Sequence, residues 1–430
     1  MQGPLWVLFY VCVLYNDPMK TQNTTQTFRR PKVELLAPAG GMEQLEYALH
    51  FGADAVYSGG TRFGLRTRAN NFDEEHLREA VNKVHAAGKR MFVTVNIVMH
   101  NEDIEALADY ARLLEDIGVD AAIVSDMGAL GILKKYAPSV AIHVSTQASV
   151  ANYETACMWH ELGASRVVLA RELSLEEIRS IRAHVPDDLE LEVFVHGAMC
   201  MSYSGRCLIS NYLTNRDANR GHCTQPCRWN YVLMEKTRPG KYFPVQEDEH
   251  GTYLMDSRDM RMLDHLDELL DAGVDSLKIE GRMKGAYYVA TVVNAYRHVL
   301  DGDAVEEYLP ELERVSHRPY STGFFFGPAN QTYDEAEYLQ THDLCATVTR
   351  MEGDRLVVQQ RNRFFTGDEI EVLSPGSPVR KFIVSGLKTE WGELVDMANK
   401  AMDTYTMDAP FELMTGDILR RKRTEEGVKG

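Results

Sequence analysis

Eight short runs rich in Val, Ile and Leu recur along this chain, at residues 34–37, 55–58, 91–97, 121–125, 142–146, 167–170, 191–195 and 276–279. They lack the strict apolar–polar alternation of a half-exposed strand, so they read as parallel strands covered on both faces. The stretches between them carry a helical period: residues 102–117 (EDIEALADYARLLEDI) are apolar at i, i+3, i+4 and i+7. Several helices end on the same phrase, as in Phe51-Gly52-Ala53-Asp54, Ile117-Gly118-Val119-Asp120, Leu162-Gly163-Ala164 and Ala272-Gly273-Val274-Asp275. Glycine there supplies the left-handed residue that stops a helix, and the next strand begins at once. Eight strands alternating with helices predict an α/β fold, a (β/α)₈ TIM-like barrel over residues 32–330, with an open doubly wound sheet as the alternative.

In either architecture the chemistry belongs just beyond the C-terminal ends of the strands. Tyr57, Asn96, Asp126, Gln147, Arg171, Glu172, His196, Glu280 and Arg282 occupy those positions. Part of this set is expected merely to cap helices or to satisfy loop backbone.

The alternation breaks once. About 80 residues separate the seventh run from the eighth, far more than the usual connection, and such insertions are usually functional. The insertion, residues 196–260, carries Cys200, Cys207, Cys223 and Cys227 in the spacing C-x₆-C-x₁₅-C-x₃-C. A chain of this size does not need a disulfide framework, so four clustered thiols read as a metal centre. Zinc favours tight C-x₂₋₄-C pairs, which only Cys223 and Cys227 provide. An iron–sulfur cluster tolerates wider spacing, and it is the favoured reading, with zinc as the alternative. Cys12, Cys157 and Cys345 stand alone and read as small buried apolar residues.

The insertion is also locally basic. Residues 198–241 hold seven basic against two acidic side chains, +5 within a chain of net charge −17, which leaves −22 elsewhere. An acidic chain is not built to coat nucleic acid unspecifically. A basic segment interleaved with Tyr203, Tyr212, His222 and Trp229 can nonetheless hold phosphates and stack on bases. The alternative is that its arginines only balance an anionic cluster. The run Arg420-Arg421-Lys422-Arg423 reads as a solvated end.

After the last barrel strand come a helical segment at 287–300 and a Gly/Pro-marked linker at 318–330. The pattern then turns to short alternating strands at 346–350, 355–360, 369–373, 381–385 and 410–413. They predict a small C-terminal β-barrel domain over 340–422. Residues 1–31 read as a disordered leader or an upstream start, because the apolar run 5–15 is too short to span a membrane and lacks a charged n-region. The expectation is a cytoplasmic protein without a membrane partner. No H-E-x-x-H, G-x-S-x-G, Walker A or G-x-G-x-x-G pattern occurs, so peptidase, ATPase and dinucleotide chemistry lack their usual signatures.

The segment from His196 to Ser210, HGAMCMSYSGRCLIS, resembles the signature of the collagenase-like peptidase family U-32. ELLAPAG at 34–40, GADAVY at 52–57, RELS at 171–174 and SLKIEGR at 276–282 support the resemblance, which covers about 33–419. RDANRGHCTQPCRW at 216–229 and EDEHGTYLMDSRD at 247–259 are most similar to the tRNA wobble-uridine hydroxylating branch of that family.

The resemblance implies a barrel with a C-terminal β-barrel and a 4Fe–4S cluster on Cys200, Cys207, Cys223 and Cys227. The implied activity is prephenate-dependent 5-hydroxylation of the tRNA wobble uridine. Some related branches place a cluster cysteine near position 261. With Arg261 there, the fourth ligand here is expected to be Cys227. On this reading Arg66, Arg68, Arg171 or Arg282 would clamp a dicarboxylate such as prephenate by bidentate pairing. Asn96, Gln147, Glu172, His196 and Glu280 would position substrate or move protons. The implied partners are the tRNA anticodon arm and an electron-transfer protein. A hydroxylase of ribosomal RNA cytidine or of a quinone precursor, or a collagenase-like peptidase as the family label suggests, are the rival readings.

Overall fold

The computed structural model describes residues 33–66, 69–229, 232–234, 242–244, 256–329, 331–332 and 338–423. The leader at 1–31 and Arg68 lie outside the described residues. Eight parallel strands form the centre: β1 Glu34–Pro38, β2 Ala55–Gly59, β3 Arg90–Val95, β4 Ala121–Val124, β5 Ala141–Val144, β6 Arg166–Val168, β7 Glu190–Ala198 and β8 Ser276–Ile279. Each pairs with its neighbour, and β8 pairs with both β1 and β7, so the sheet closes into the barrel. Nearly every strand residue is buried, as continuous apolar runs require when the barrel interior and a helical jacket cover both faces.

The helical jacket follows the sequence closely. Helix α1 is Met42–His50, α2 Glu74–Ala86, α3 Asn101–Ile117, α4 Met127–Tyr136, α5 Tyr153–Glu161 and α6 Leu175–Arg182. The predicted stops operate: Gly118 caps α3 at φ 79°, and Gly52, Gly163 and Gly273 also take positive φ. Leu107, Ala111, Leu114 and Ile117 form the buried stripe of α3. Asp126 is one of the capping residues anticipated at a strand end, its carboxylate accepting the Ala129 N–H at 3.0 Å.

Strand β7 runs longer than its apolar run because the returning insertion pairs with it. The segment Asp259–Arg261 lies antiparallel to His196, Gly197 and Ala198, which extends the seventh strand beyond the barrel rim. Among its described residues the insertion holds one small helix, α7 Ile209–Thr214, short turns and an antiparallel pair, Val232–Met234 with Tyr242–Pro244, before α8 Leu266–Asp271 leads into β8. Helices α9 Ala286–Asp301 and α10 Val305–Leu312 complete the wall.

The C-terminal domain is a seven-stranded antiparallel sheet built around its own apolar core, including Val348, Leu356, Val358, Ile370 and Met407. Two predictions there are corrected. Residues 410–413 form no strand, because Pro410 cannot donate to a ladder. The ladder instead uses Thr404–Asp408 and Ile418–Lys422. The basic run at 420–423 is not a solvated end either. Arg420 is fully buried, pairing with Glu311 of α10 at 2.6 Å and Glu371 at 3.2 Å, and it ties the domain to the barrel wall. Arg421 pairs with Asp368, and Arg423 with Asp343 at 2.7 Å.

Candidate active site

A cavity of about 500 Å³ opens at the C-terminal mouth of the barrel. Barrel strands and insertion both line it. The barrel contributes Asn96, Gln147, Arg171, Glu280 and Arg282, with Arg66 from the loop after β2, and the insertion contributes Cys200, Cys207, Cys223 and Cys227. Residues as far apart in sequence as Arg66 and Arg282 thus share one space, because each follows a strand that ends on the same rim.

The charges at the mouth run from buried to part-exposed and are loosely paired. Arg66 Nη2 stands 3.9 Å from Glu280 Oε2, its side chain 39% exposed. Burial pushes the Glu280 carboxyl up. Arg66, Arg171, Arg282 and Lys278 together outweigh that and hold it below the usual carboxylate range. Arg282 is 4% exposed and donates to Thr94 Oγ1 at 3.0 Å and Asn71 Oδ1 at 2.5 Å. Burial lowers its guanidinium to about 10, so it stays charged at neutral pH. Arg171, 9% exposed, gives Nη1 to the Ala198 carbonyl at 3.2 Å and lies 5.0 Å over the Phe194 ring. Neither Arg171 nor Arg282 forms an ion pair among the described residues. Two buried guanidiniums without a carboxylate partner make the cavity a site for an anion.

Asn96 accepts from the Leu65 N–H at 3.2 Å and donates to Ser145 Oγ at 3.2 Å, a bridge from the loop after β2 through the end of β3 to the end of β5. Gln147 sits on the short turn Thr146–Ala148 against the insertion. Thr94, Ser145 and Lys278 also line the cavity and were not singled out from sequence. They sit inside strands or on a strand's last turn, and an interior-facing polar residue in a buried strand was the available signal.

Two of the strand-end candidates lie elsewhere. Glu172 is not on this cavity. Its carboxylate accepts from Ser204 N at 2.6 Å and Ser204 Oγ at 2.7 Å, and it lines a smaller space of about 170 Å³ beside Cys200. His196 is 1% exposed inside a cage of Tyr288, Tyr296 and Tyr320, with ring centroids 5.4–6.0 Å away. Burial, reinforced by His317 and Arg261, holds its imidazole well below the ordinary value, hence neutral. It does not line the cavity.

The insertion is fastened to the barrel at several points. Val98 N, after β3, donates to the Asn219 carbonyl at 3.0 Å, and Asn219 in turn holds Cys207, accepting its N–H on Oδ1 at 3.2 Å and donating Nδ2 to its carbonyl at 3.1 Å. Arg220 grips Asp103 of α3 at 2.7 and 3.1 Å, so this arginine of the basic segment is committed to anchoring. Tyr203, Tyr212 and Trp229 remain on the surface, with Tyr212 84% exposed. Arg206 and Arg216 are exposed and form no ion pair among the described residues.

The four cysteines suit a sulfur-ligated inorganic group in kind. No disulfide joins them. Backbone N–H groups point at two of the sulfurs, Ile209 N to Cys207 Sγ at 3.4 Å and Gln225 N to Cys223 Sγ at 3.3 Å. Cys200 and Cys223 also act on the Arg66 guanidinium. Among the described residues no three His, Cys, Asp or Glu side chains form a group that could hold a metal ion. All four cysteines line the one cavity.

A parallel barrel with a cationic, cysteine-rimmed cavity at its catalytic face defines a class of barrel enzyme with a built anion and thiol site. The family model "Peptidase family U32" matches residues 40–335, and "Peptidase family U32 C-terminal domain" matches 340–420. The chain belongs to peptidase family U32. It is 38% identical to "tRNA hydroxylation protein P1" of Bacillus subtilis (strain 168), over 94% of this chain and 99% of that protein. It is 37% identical to "tRNA hydroxylation protein P" of Escherichia coli (strain K12), over 88% of this chain and 94% of that one. The "23S rRNA 5-hydroxycytidine C2501 synthase" of the same bacterium is 40% identical over 70% of this chain but only 43% of its own length.

Proposed function

We propose that this chain is a tRNA hydroxylase. It would form 5-hydroxyuridine at the wobble position with prephenate as co-substrate and a 4Fe–4S cluster held by Cys200, Cys207, Cys223 and Cys227. The observation that carries the reading is the meeting of four thiols with the unpaired Arg171 and Arg282 guanidiniums in one cavity. Relatives named as tRNA hydroxylation proteins, aligned along nearly their full length, support the RNA substrate. The C-x₆-C-x₁₅-C-x₃-C spacing, in which only Cys223 and Cys227 form a tight zinc-type pair, favours an iron–sulfur core over a single zinc. When bound, such a cluster supplies one-electron chemistry and an attachment point that no side chain offers.

The chain's own residues then bind and orient. Arg171 and Arg282, with Arg66 at the entrance, clamp the carboxylates of the co-substrate. Glu280 stays ionised among these cations and keeps them aimed into the cavity rather than acting as a proton carrier. Asn96 and Gln147 present amide groups that can orient a base or the co-substrate. Exposed Tyr203, Tyr212 and Trp229, with Arg206 and Arg216, offer stacking faces and phosphate contacts for an RNA loop that delivers one extruded base. No helix among the described residues is long and apolar enough to cross a membrane. A cytoplasmic location and a separate electron donor complete the proposal.

The test compares nucleosides from deletion, wild-type and complemented cells by mass spectrometry. The expected result is loss of wobble 5-hydroxyuridine derivatives in the deletion and in a strain unable to make prephenate. Unchanged tRNA with lost ribosomal 5-hydroxycytidine would assign the chain to the rRNA reading instead.

A further inference from the structure

Glu172 follows β6, where a general acid or base would be expected, yet both of its oxygens are directed at one residue of the insertion. Ser204 donates its backbone N–H at 2.6 Å and its hydroxyl at 2.7 Å. Ser204 is fully buried and held at φ 45°, ψ 29°, a left-handed conformation that a serine adopts only when its surroundings impose it. It lies midway between Cys200 and Cys207. Gly205, next to it, takes φ +85°, and a Cβ there would come within 3.3 Å of Gln147 Nε2, so the turn sits directly on the barrel. Two convergent donors match an acceptor-only carboxylate, whereas an amide would face one of them with a donor of its own. The Cys223 arm is held separately, by Thr224 N on Ser210 Oγ at 3.1 Å and the Ser210–Thr224 hydroxyl pair at 3.0 Å.

We infer that Glu172 is a positioning residue: it locks the turn between Cys200 and Cys207 and so sets where those two sulfurs stand relative to Cys223 and Cys227. This rests on the reading of the four cysteines as ligands. The carboxylate works as an outer partner of the ligand set, not as a proton carrier.

The experiment labels the thiols of iron-free protein with a maleimide and reads each cysteine by peptide mass spectrometry. A chelator time course and an electron paramagnetic resonance spectrum of the iron-loaded protein accompany it. In Glu172→Ala, Cys200 and Cys207 are expected to label severalfold faster while Cys223 and Cys227 keep their rates. Iron should be lost about 10- to 100-fold more readily, the usual effect of removing an outer partner, with an altered resonance signature. Glu172→Gln, which keeps the shape and one acceptor, should lie in between and guards against a folding defect in the alanine variant. Unchanged labelling and spectrum in both variants would overturn the inference. So would a Glu172→Gln protein with wild-type labelling that loses one limb of its pH–rate profile, since that would mark a proton carrier. Wild-type protein that never takes up iron would overturn the cluster reading, while the labelling pattern would still decide the role of Glu172.

Discussion

The two ends of this barrel bury the same residue types and treat them differently. At the N-terminal end Arg166 reaches Glu34 at 2.6 Å, Glu192 at 2.9 Å and Glu190 at 2.7 Å, Lys278 reaches Glu192 at 2.7 Å, and Ser276 donates to Glu34 at 2.9 Å. Burial works against the charged Arg166, but its carboxylate neighbours more than offset it and hold the guanidinium firmly protonated. At the C-terminal mouth the nearest carboxylate–guanidinium approach is Arg66–Glu280 at 3.9 Å, and Arg171 and Arg282 have no carboxylate partner among the described residues. One end is a closed ion cluster that fixes strand register. The other leaves Arg171 and Arg282 around a cavity with no carboxylate within ion-pair distance among the described residues, Glu280 acting on them only from farther off.

If that contrast is right, the ends fail in different ways. The largest effect is expected at the closed end. Glu192→Ala strips Arg166 and Lys278 of a shared partner and should cost about 3–5 kcal/mol in denaturant unfolding, with tRNA binding by the surviving folded protein intact. At the mouth, Arg171→Met should leave the unfolding midpoint unchanged or raise it, since a buried unpaired charge is removed. The same variant should raise the prephenate KM roughly 10- to 100-fold, the worth of a charge-assisted bond of about 1.5–3 kcal/mol. A destabilised Arg171→Met with normal KM would erase the distinction.

The pH dependence sharpens it further. The carboxyls of Glu192 and Glu280 are both depressed in the folded state, against the upward push of burial, by Lys278 and Arg166 and by the mouth arginines respectively. Their stabilisation is therefore present above the unfolded glutamate value of about 4.3 and is lost as pH falls through the lower folded values. Glu280→Gln should show a shallower loss of stability on acidification than wild type, followed by circular dichroism across that range. The smallest effect belongs to Asp126, a strand-end residue that only caps α4: Asp126→Ala should cost about 1 kcal/mol and leave nucleoside modification at the wild-type level.

The barrel was legible in the sequence because its signals are local. Val- and Ile-rich runs and the recurring glycine stop each report on a few adjacent residues, and β8 falls at 276–279 as read. The C-terminal domain was less so. Arg420 looks like a solvated charge until Glu311 and Glu371, distant in sequence, close around it. The strand ends were located to within two or three residues, but position along a strand does not tell which way a side chain turns. Asn96, Gln147, Arg171, Glu280 and Arg282 face the shared cavity, whereas His196 turns into a tyrosine cage and Glu172 toward Ser204. That choice is made by packing, against the insertion for Glu172 and against α9 and Tyr320 for His196, which no local pattern records.

The most direct test of the account is the metal content of the full chain purified without oxygen, by iron and acid-labile sulfide assay with a visible spectrum. The account predicts a brown protein with about four irons and four sulfides per chain, and loss of the colour in Cys227→Ser. A colourless, folded protein carrying zinc, or no metal at all, would contradict it.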